Sequence, residues 1–332
     1  MYPFLLERPR DLAAALALVA DANAPPTDYI AGGTDMMQLL TDDIRRPARL
    51  ISLGAGVLDD RIEIGPDGLL RLGAAALMSD VGDHPGVREH FPMIAQALLL
   101  SASAQVRNMA TVGGNLLQRT RCSYFRDVGF HACNKRNPGS GCAAWEGENR
   151  LHAVLGGSQH CLATHASDLA VVLVALDATV QLRAPHGARS LALEELYLLP
   201  GETPYRETVL EPGELITAVE VSASPAARRS HYLKVRDRSS FEFALVSAAV
   251  ALETQGERIR QAHIALGGVG TRPWRLRAVE AALVGATNNT ATYRAAAERA
   301  PEGAVPRAGN GFKVELMQRT LVRALQRVGG GA

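Results

Sequence analysis

All four cysteines of this 332-residue chain, Cys122, Cys133, Cys142 and Cys161, fall between positions 122 and 161, with ten, eight and eighteen residues between neighbours. Thiolates are soft ligands suited to iron–sulfur clusters or zinc. Three readings stay open at the level of spacing. A [4Fe–4S] cluster needs four thiolates and tolerates irregular intervals. Structural zinc usually shows a C-x₂₋₄-C knuckle, which is absent here. Two disulfides would require an oxidising compartment that nothing in the chain announces. His131, His152, His160 and His165 lie in the same stretch and could substitute as ligands, but four cysteines already suffice, and hydrogen bonding is their plainer reading.

Two glycine sites offer a second chemistry. In Ala31-Gly32-Gly33-Thr34-Asp35-Met36, between a predicted strand and a predicted helix, the diglycine lets the backbone approach a ligand, and successive amides make an anion nest. Thr34 adds a hydroxyl. Alone, the segment would also suit an ordinary tight turn, and it is no GxGxxG fingerprint, so a Rossmann site is not implied. Thr111-Val112-Gly113-Gly114-Asn115 repeats the chemistry further along the chain. Together the two loops could clamp both halves of one pyrophosphate, which points to a dinucleotide cofactor. Lys234, one of only three lysines with Lys135 and Lys313, sits on a strand pattern where it could face a flavin or phosphate, or solvent. No G-x-S-x-G elbow, H-E-x-x-H or Walker A loop exists. His84 beside Asp83, and Glu194-Glu195, read as solvated surface groups.

These residues need a scaffold, and the chain can build one. With 47% hydrophobic and 21% charged side chains it has apolar mass for sizeable cores and length for two or three domains. A net charge of +1 shows no basic excess for nucleic acid. No apolar run reaches the ~18 residues of a membrane span. The apolar run at 12–20 is flanked by Glu7, Asp11 and Asp21, where a secretory signal wants cations, so residues 10–22 read as an amphipathic helix. By its own sequence the chain reads as cytoplasmic. A strand is expected at 29–31, a helix from 35 to 40, and a strand at 49–53 ending in Gly54-Ala55-Gly56. A hairpin follows over 61–72 around Pro66-Asp67-Gly68, with helical segments at 79–81 and 93–104. Hydrophobic periodicity nearly vanishes over 119–165, so a long irregular insertion is expected there, held by something other than a core. Regular structure returns at 168–182, with a strand at 215–221. After a linker at 222–229 come strands at 232–235, 244–252 and 261–266, with helices at 273–283 and 313–326. Strands and helices without strict alternation indicate an α+β fold.

The glycine motifs, with Arg107-Asn108-Met109-Ala110 before the second, resemble the two FAD-pyrophosphate loops of flavoprotein subunits in the xanthine dehydrogenase family. Ser167-Asp168-Leu169-Ala170, the segment 232–246 and Ala265-Leu266-Gly267-Gly268-Val269 follow in that family's order. The insertion, with Leu117-Gln118-Arg119-Thr120-Arg121-Cys122, Cys133-Asn134-Lys135-Arg136 and Pro138-Gly139-Ser140-Gly141-Cys142, resembles the FAD/[4Fe–4S] subunits of bacterial molybdenum aldehyde oxidoreductases. The resemblance implies an FAD-binding domain of the vanillyl-alcohol-oxidase type in two subdomains, residues 1–53 and 54–225. A CO-dehydrogenase-flavoprotein-like α+β domain would occupy residues 226–332. It implies FAD held by Tyr29, Ile30, Ala31, Gly32, Gly33, Thr34, Asp35, Met36, Met37, Thr111, Gly114, Asn115, Asp168 and Lys234. It also implies a [4Fe–4S] cluster on Cys122, Cys133, Cys142 and Cys161.

The same resemblance implies a heterotrimer. A small subunit would hold two [2Fe–2S] clusters, and a large subunit would hold molybdopterin cytosine dinucleotide and oxidise the aldehyde. This chain would move electrons through FAD to an external acceptor. Export of the folded complex by a twin-arginine-bearing partner would place it in the periplasm. An N-heterocycle as substrate of the complex, a self-sufficient flavin oxidase and a zinc-stapled assembly subunit are the alternatives.

Overall fold

The computed structural model describes residues 1–20, 23–54 and 56–330, and these form three sheets wrapped by helices. The first sheet is parallel: Leu5–Glu7 and Thr27–Ile30 flank Arg49–Ser52. Helix Leu12–Ala20 crosses over it, burying Ala15 and Leu16 on Ile51 and Leu53. Positions 21 and 22 of the helix expected over 10–22, and Ala55 of the glycine turn, lie outside the described residues. The second sheet is antiparallel and five-stranded. In it the hairpin Ile62–Ile64 and Leu70–Gly73 is joined by Leu215–Val221, Thr179–Ala184 and Gly187–Ala192.

The third sheet pairs Ser230–Val235, Val246–Gln255, Arg258–Gly267 and Trp274–Arg275, all antiparallel. Strand Val246–Gln255 carries the apolar run Ala248–Leu252 because both of its faces are covered there. Val246, Ala248, Val250 and Leu252 pack on the C-terminal helix Phe312–Gly329, while Ala249 and Ala251 face the core around helix Asp168–Ala175. Small side chains on the second face let that helix come close. A Cβ on Gly267 would sit 2.7 Å from Val171 Cγ2. Every residue of helix Asp168–Ala175 is buried, and Ser167 caps it by accepting the amide of Ala170 at 2.9 Å. The C-terminal helix is amphipathic, burying Met317, Leu321, Ala324, Leu325 and Val328, and ends on Gly330 at φ 77°.

Three expectations change in detail. The helix expected over 93–104 stops at Leu100, since Ala102 adopts φ 49° and the chain turns to carry Ser101 against Asp168. The linker expected at 222–229 is itself packed. Ser224 caps a helical turn, Pro225–Arg228, that buries Ala226 and Ala227. Helix Thr290–Ala297, opened by Asn289, is not among the expected elements; its buried face is Tyr293, Ala296 and Ala297, a short apolar stripe in a polar segment. No helix among the described residues is long and apolar enough to cross a membrane.

Candidate functional site

A cleft of about 630 Å³ opens where the three sheets meet, within the usual size of a cofactor site. Tyr29, Ile30, Ala31, Gly32, Gly33, Thr34, Asp35 and Met36 form one wall, and Thr111, Gly113, Gly114 and Asn115 another. Asp168 and Lys234 also line it. Met37 does not; its side chain points outward from the helix and is 44% exposed. The two glycine loops touch. A Cβ on Gly32 would lie 1.7 Å from the carbonyl oxygen of Met109, so only glycine lets them meet. Gly33 supplies the bend, at φ 72°.

The loops differ in what they offer a ligand. Among the described residues no acceptor takes the amides of Gly32, Gly33, Thr34 or Asp35. The amides of the second loop are already taken by protein acceptors. Gly113 N–H donates to Ala74 O at 2.9 Å, Gly114 to Thr111 Oγ1 at 3.2 Å and Asn115 to Thr111 O at 2.8 Å. The nest expected of both loops is therefore open only at residues 32–35. Residues 111–115 contribute surface and the Thr111 hydroxyl.

Asp168 begins its buried helix at the cleft floor. Its carboxylate accepts from Ser101 Oγ at 2.8 Å, from Lys234 Nζ at 2.7 Å and from the Tyr232 hydroxyl. Lys234 Nζ also donates to Leu100 O at 3.2 Å, and its side chain is 1% exposed. Burial first, and then the Asp168 charge, push the Tyr232 hydroxyl far above its usual range, so it stays a donor. With three protein donors, Asp168 faces the cleft as the anchor of a buried cation rather than as a free acceptor.

The cysteines come from distant points of the irregular insertion and line one small cavity together with Tyr124, Phe125, Lys135 and His152. The space enclosed is about 10 Å³, room for roughly one water. The thiols are free, and Cys133 and Cys142 face each other across an isolated β-bridge. Burial pushes Cys122 up to about 12 and Cys161 to about 11, despite amides that point to their sulfurs, so without a metal they are inert thiols. Among the described residues no group of three or more His, Cys, Asp or Glu side chains is arranged to hold a single ion. Tetrahedral zinc, about 2.3 Å from each sulfur, would need sulfurs about 3.8 Å apart.

A cavity of about 280 Å³ lies between these two sites. It shares Leu117, Gln118, Arg119 and Ala166 with the cleft, and Lys135, Cys161 and Ala163 with the cysteine cavity. Glu207 pairs there with Lys135 at 2.8 Å and with Arg119. Burial alone would raise its carboxyl, but the two cations hold it below the usual carboxylate range.

Residues 2–223 match the model of the FAD-binding domain in molybdopterin dehydrogenase, and residues 231–328 match that of the CO dehydrogenase flavoprotein C-terminal domain. The aldehyde oxidoreductase FAD-binding subunit PaoB of Escherichia coli (strain K12) is 45% identical over 314 residues, 94% of each chain. The chain belongs to the FAD-binding subunits of the xanthine dehydrogenase family. The carbon monoxide dehydrogenase medium chain of Afipia carboxidovorans is 25% identical, covering 81% of this chain and 76% of that one. In fold, a chain of quinoline 2-oxidoreductase from Pseudomonas putida 86 aligns with a TM-score of 0.75 at 24% identity, over 99% and 98% of the two chains.

For a family flavoprotein the cleft is where FAD would sit, and it has walls that the sequence reading missed. Arg238, Phe241, Glu242 and Phe243 line it from the loop joining strands Ser230–Val235 and Val246–Gln255. Phe241 is 56% exposed at φ 51°, and Arg121 lies over the Phe243 ring, 5.4 Å from its centroid. Two phenylalanines in a polar loop between strand patterns were the available signal.

Proposed function

We propose that this chain is the electron-transfer FAD subunit of a molybdenum-containing aldehyde oxidoreductase. It takes electrons from two [2Fe–2S] clusters of a small partner subunit and passes them through FAD to an external acceptor. A large partner with molybdopterin cytosine dinucleotide oxidises aldehydes to carboxylic acids. The observation that carries this reading is the meeting of all four cysteines in one cavity, in a chain 45% identical to an aldehyde oxidoreductase FAD-binding subunit.

The open amides of residues 32–35 fit a pyrophosphate, and the cleft fits the rest of a dinucleotide. Lys234, held by Asp168, would present one fixed positive charge beside the flavin. Cys122, Cys133, Cys142 and Cys161 would hold a [4Fe–4S] cluster, whose chemistry is one-electron exchange. Four thiols lining one cavity, not arranged around a single ion, suit a multinuclear group. The three sheets support a division into residues 1–53, 54–225 and 226–332.

The test is the assembled complex, co-expressed with both partners and purified anaerobically. About eight irons per trimer, falling to about four on Cys133→Ser with flavin retained, supports the reading. Addition of an aldehyde should bleach the flavin band. Bleaching only by an N-heterocycle would move the substrate class, four irons in the native trimer would remove the cluster, and a colourless zinc protein would overturn the whole.

A further inference from the structure

We propose that His152 sets the reduction potential of the cluster by donating its Nε2–H to the sulfur of Cys122. The inference rests on the cluster reading above. His152 Nε2 lies 3.1 Å from Cys122 Sγ, and the residue is 5% exposed. Its other ring nitrogen, Nδ1, is buried with no partner.

That orphan decides the tautomer. A proton on Nδ1 would bury an unsatisfied donor and turn the Nε2 lone pair against a thiolate, two unfavourable contacts at once. A proton on both nitrogens would leave the same orphan donor. With the proton on Nε2 alone, Nδ1 is an unprotonated acceptor, the cheaper group to leave unpaired, and Nε2–H meets the sulfur.

The backbone that carries the ring is also held in place. The His152 carbonyl accepts from Lys313 Nζ at 3.0 Å and from Asn310 Nδ2 at 3.3 Å, and its amide donates to Asn149 O at 2.9 Å. Lys313 is fully buried and its second bond, 2.6 Å to Gly268 O, ties this turn to the C-terminal sheet. A family glycine-rich segment, the C-terminal helix and the cysteine insertion thus converge to aim one imidazole at one sulfur. Hydrogen bonds to ligating sulfurs withdraw electron density and favour the reduced state, raising the potential. His152 is a positioning residue, acting on the cluster through Cys122.

The experiment uses the whole complex with wild type, His152→Leu and His152→Gln, each assayed for iron and titrated potentiometrically by low-temperature electron paramagnetic resonance. At a fixed solution potential the Leu variant should show about a tenfold lower ratio of reduced to oxidised cluster, equivalent to about 59 mV for one electron. The Gln variant, which restores an N–H, should recover most of it. Should the Leu variant lose its iron, ¹⁵N-histidine-labelled wild type decides instead, through a nitrogen hyperfine coupling on the reduced cluster. An unmoved ratio with full iron, an absent coupling, or a wild-type cluster that dithionite does not reduce would overturn the role of His152 alone. Native complex lacking this cluster's iron would overturn the cluster reading itself.

Discussion

Arg126 donates a hydrogen bond from its guanidinium to Asp35 at 2.8 Å, across 91 residues of sequence. Asp35 closes the open glycine loop of the cleft, whereas Arg126 ends the short helix Ser123–Arg126 that follows Cys122. The same carboxylate takes Arg121 at 2.9 Å and the amide of Arg119 at 2.8 Å. One acidic side chain therefore joins the first glycine loop to the cysteine insertion.

Asp35→Ala should accordingly lower both cofactors at once. Removing the carboxylate leaves two largely buried guanidinium groups without their partner, a loss of about 3 kcal/mol of local stability. Flavin and iron per trimer, measured on the same sample, should fall together. Loss of flavin with full iron would mean that the tie does not reach the cysteines.

Asp168 and Lys234 should behave as one unit. Asp168→Ala strands a buried ammonium and should cost about 3–5 kcal/mol, with flavin lost from the cleft. The double replacement Asp168→Asn with Lys234→Met removes both charges and should be more stable than Asp168→Ala alone. Thermal unfolding of wild type, Asp168→Asn, Lys234→Met and the double variant gives the coupling. Additive losses would show that the pair is not coupled.

The neighbouring glycines should differ sharply. Gly32→Ala drives a methyl into the Met109 carbonyl, a backbone group that cannot yield, so FAD affinity should fall more than about tenfold, or ~1.4 kcal/mol. Gly33→Ala meets only side-chain atoms, the nearest at 3.4 Å, and should cost about 1 kcal/mol from its positive φ. Flavin retention during gel filtration separates the two.

Acid should weaken the fold through His165. Burial lowers its imidazole from 6.5 to about 4, and its Nδ1 accepts the Ser167 amide at 3.3 Å. Between pH 6.5 and 4 the unfolded chain binds a proton that the folded one refuses, so stability falls as pH drops through that window and is flat above it. The total is at most about 3 kcal/mol. His165→Phe, which keeps the edge contact with Tyr197, should reduce the slope in denaturant titrations across this range. An unchanged slope would assign the acid sensitivity elsewhere.

Much of the architecture was legible in local pattern. The strands at 49–53, 215–221 and 244–252 are apolar runs because they are buried, and burial is what an apolar run reports. The diglycines likewise advertised close backbone approach, and the lone cysteine-rich stretch advertised a site where periodicity had ceased.

What the sequence by itself determined was the inventory: two glycine loops, four thiols and three lysines, in a chain with enough apolar surface to bury them. Tertiary structure decided how each is used. Glycine in both loops predicts two open nests, yet among the described residues of the two loops only 32–35 keep free amides, because Ala74 reaches the second loop from elsewhere in space and the loop's own Thr111 takes two more of its amides. Asp168 reads as a ligand for a cofactor until Ser101, Tyr232 and Lys234 converge on it. All three lysines, ordinarily surface residues, are inside: the side chains of Lys135 and Lys234 are 8% and 1% exposed, and Lys313 is fully buried. A sequence states which groups can donate and accept. Which partner satisfies each is settled by the distances between segments far apart in the chain, and those exist only once the sheets have packed.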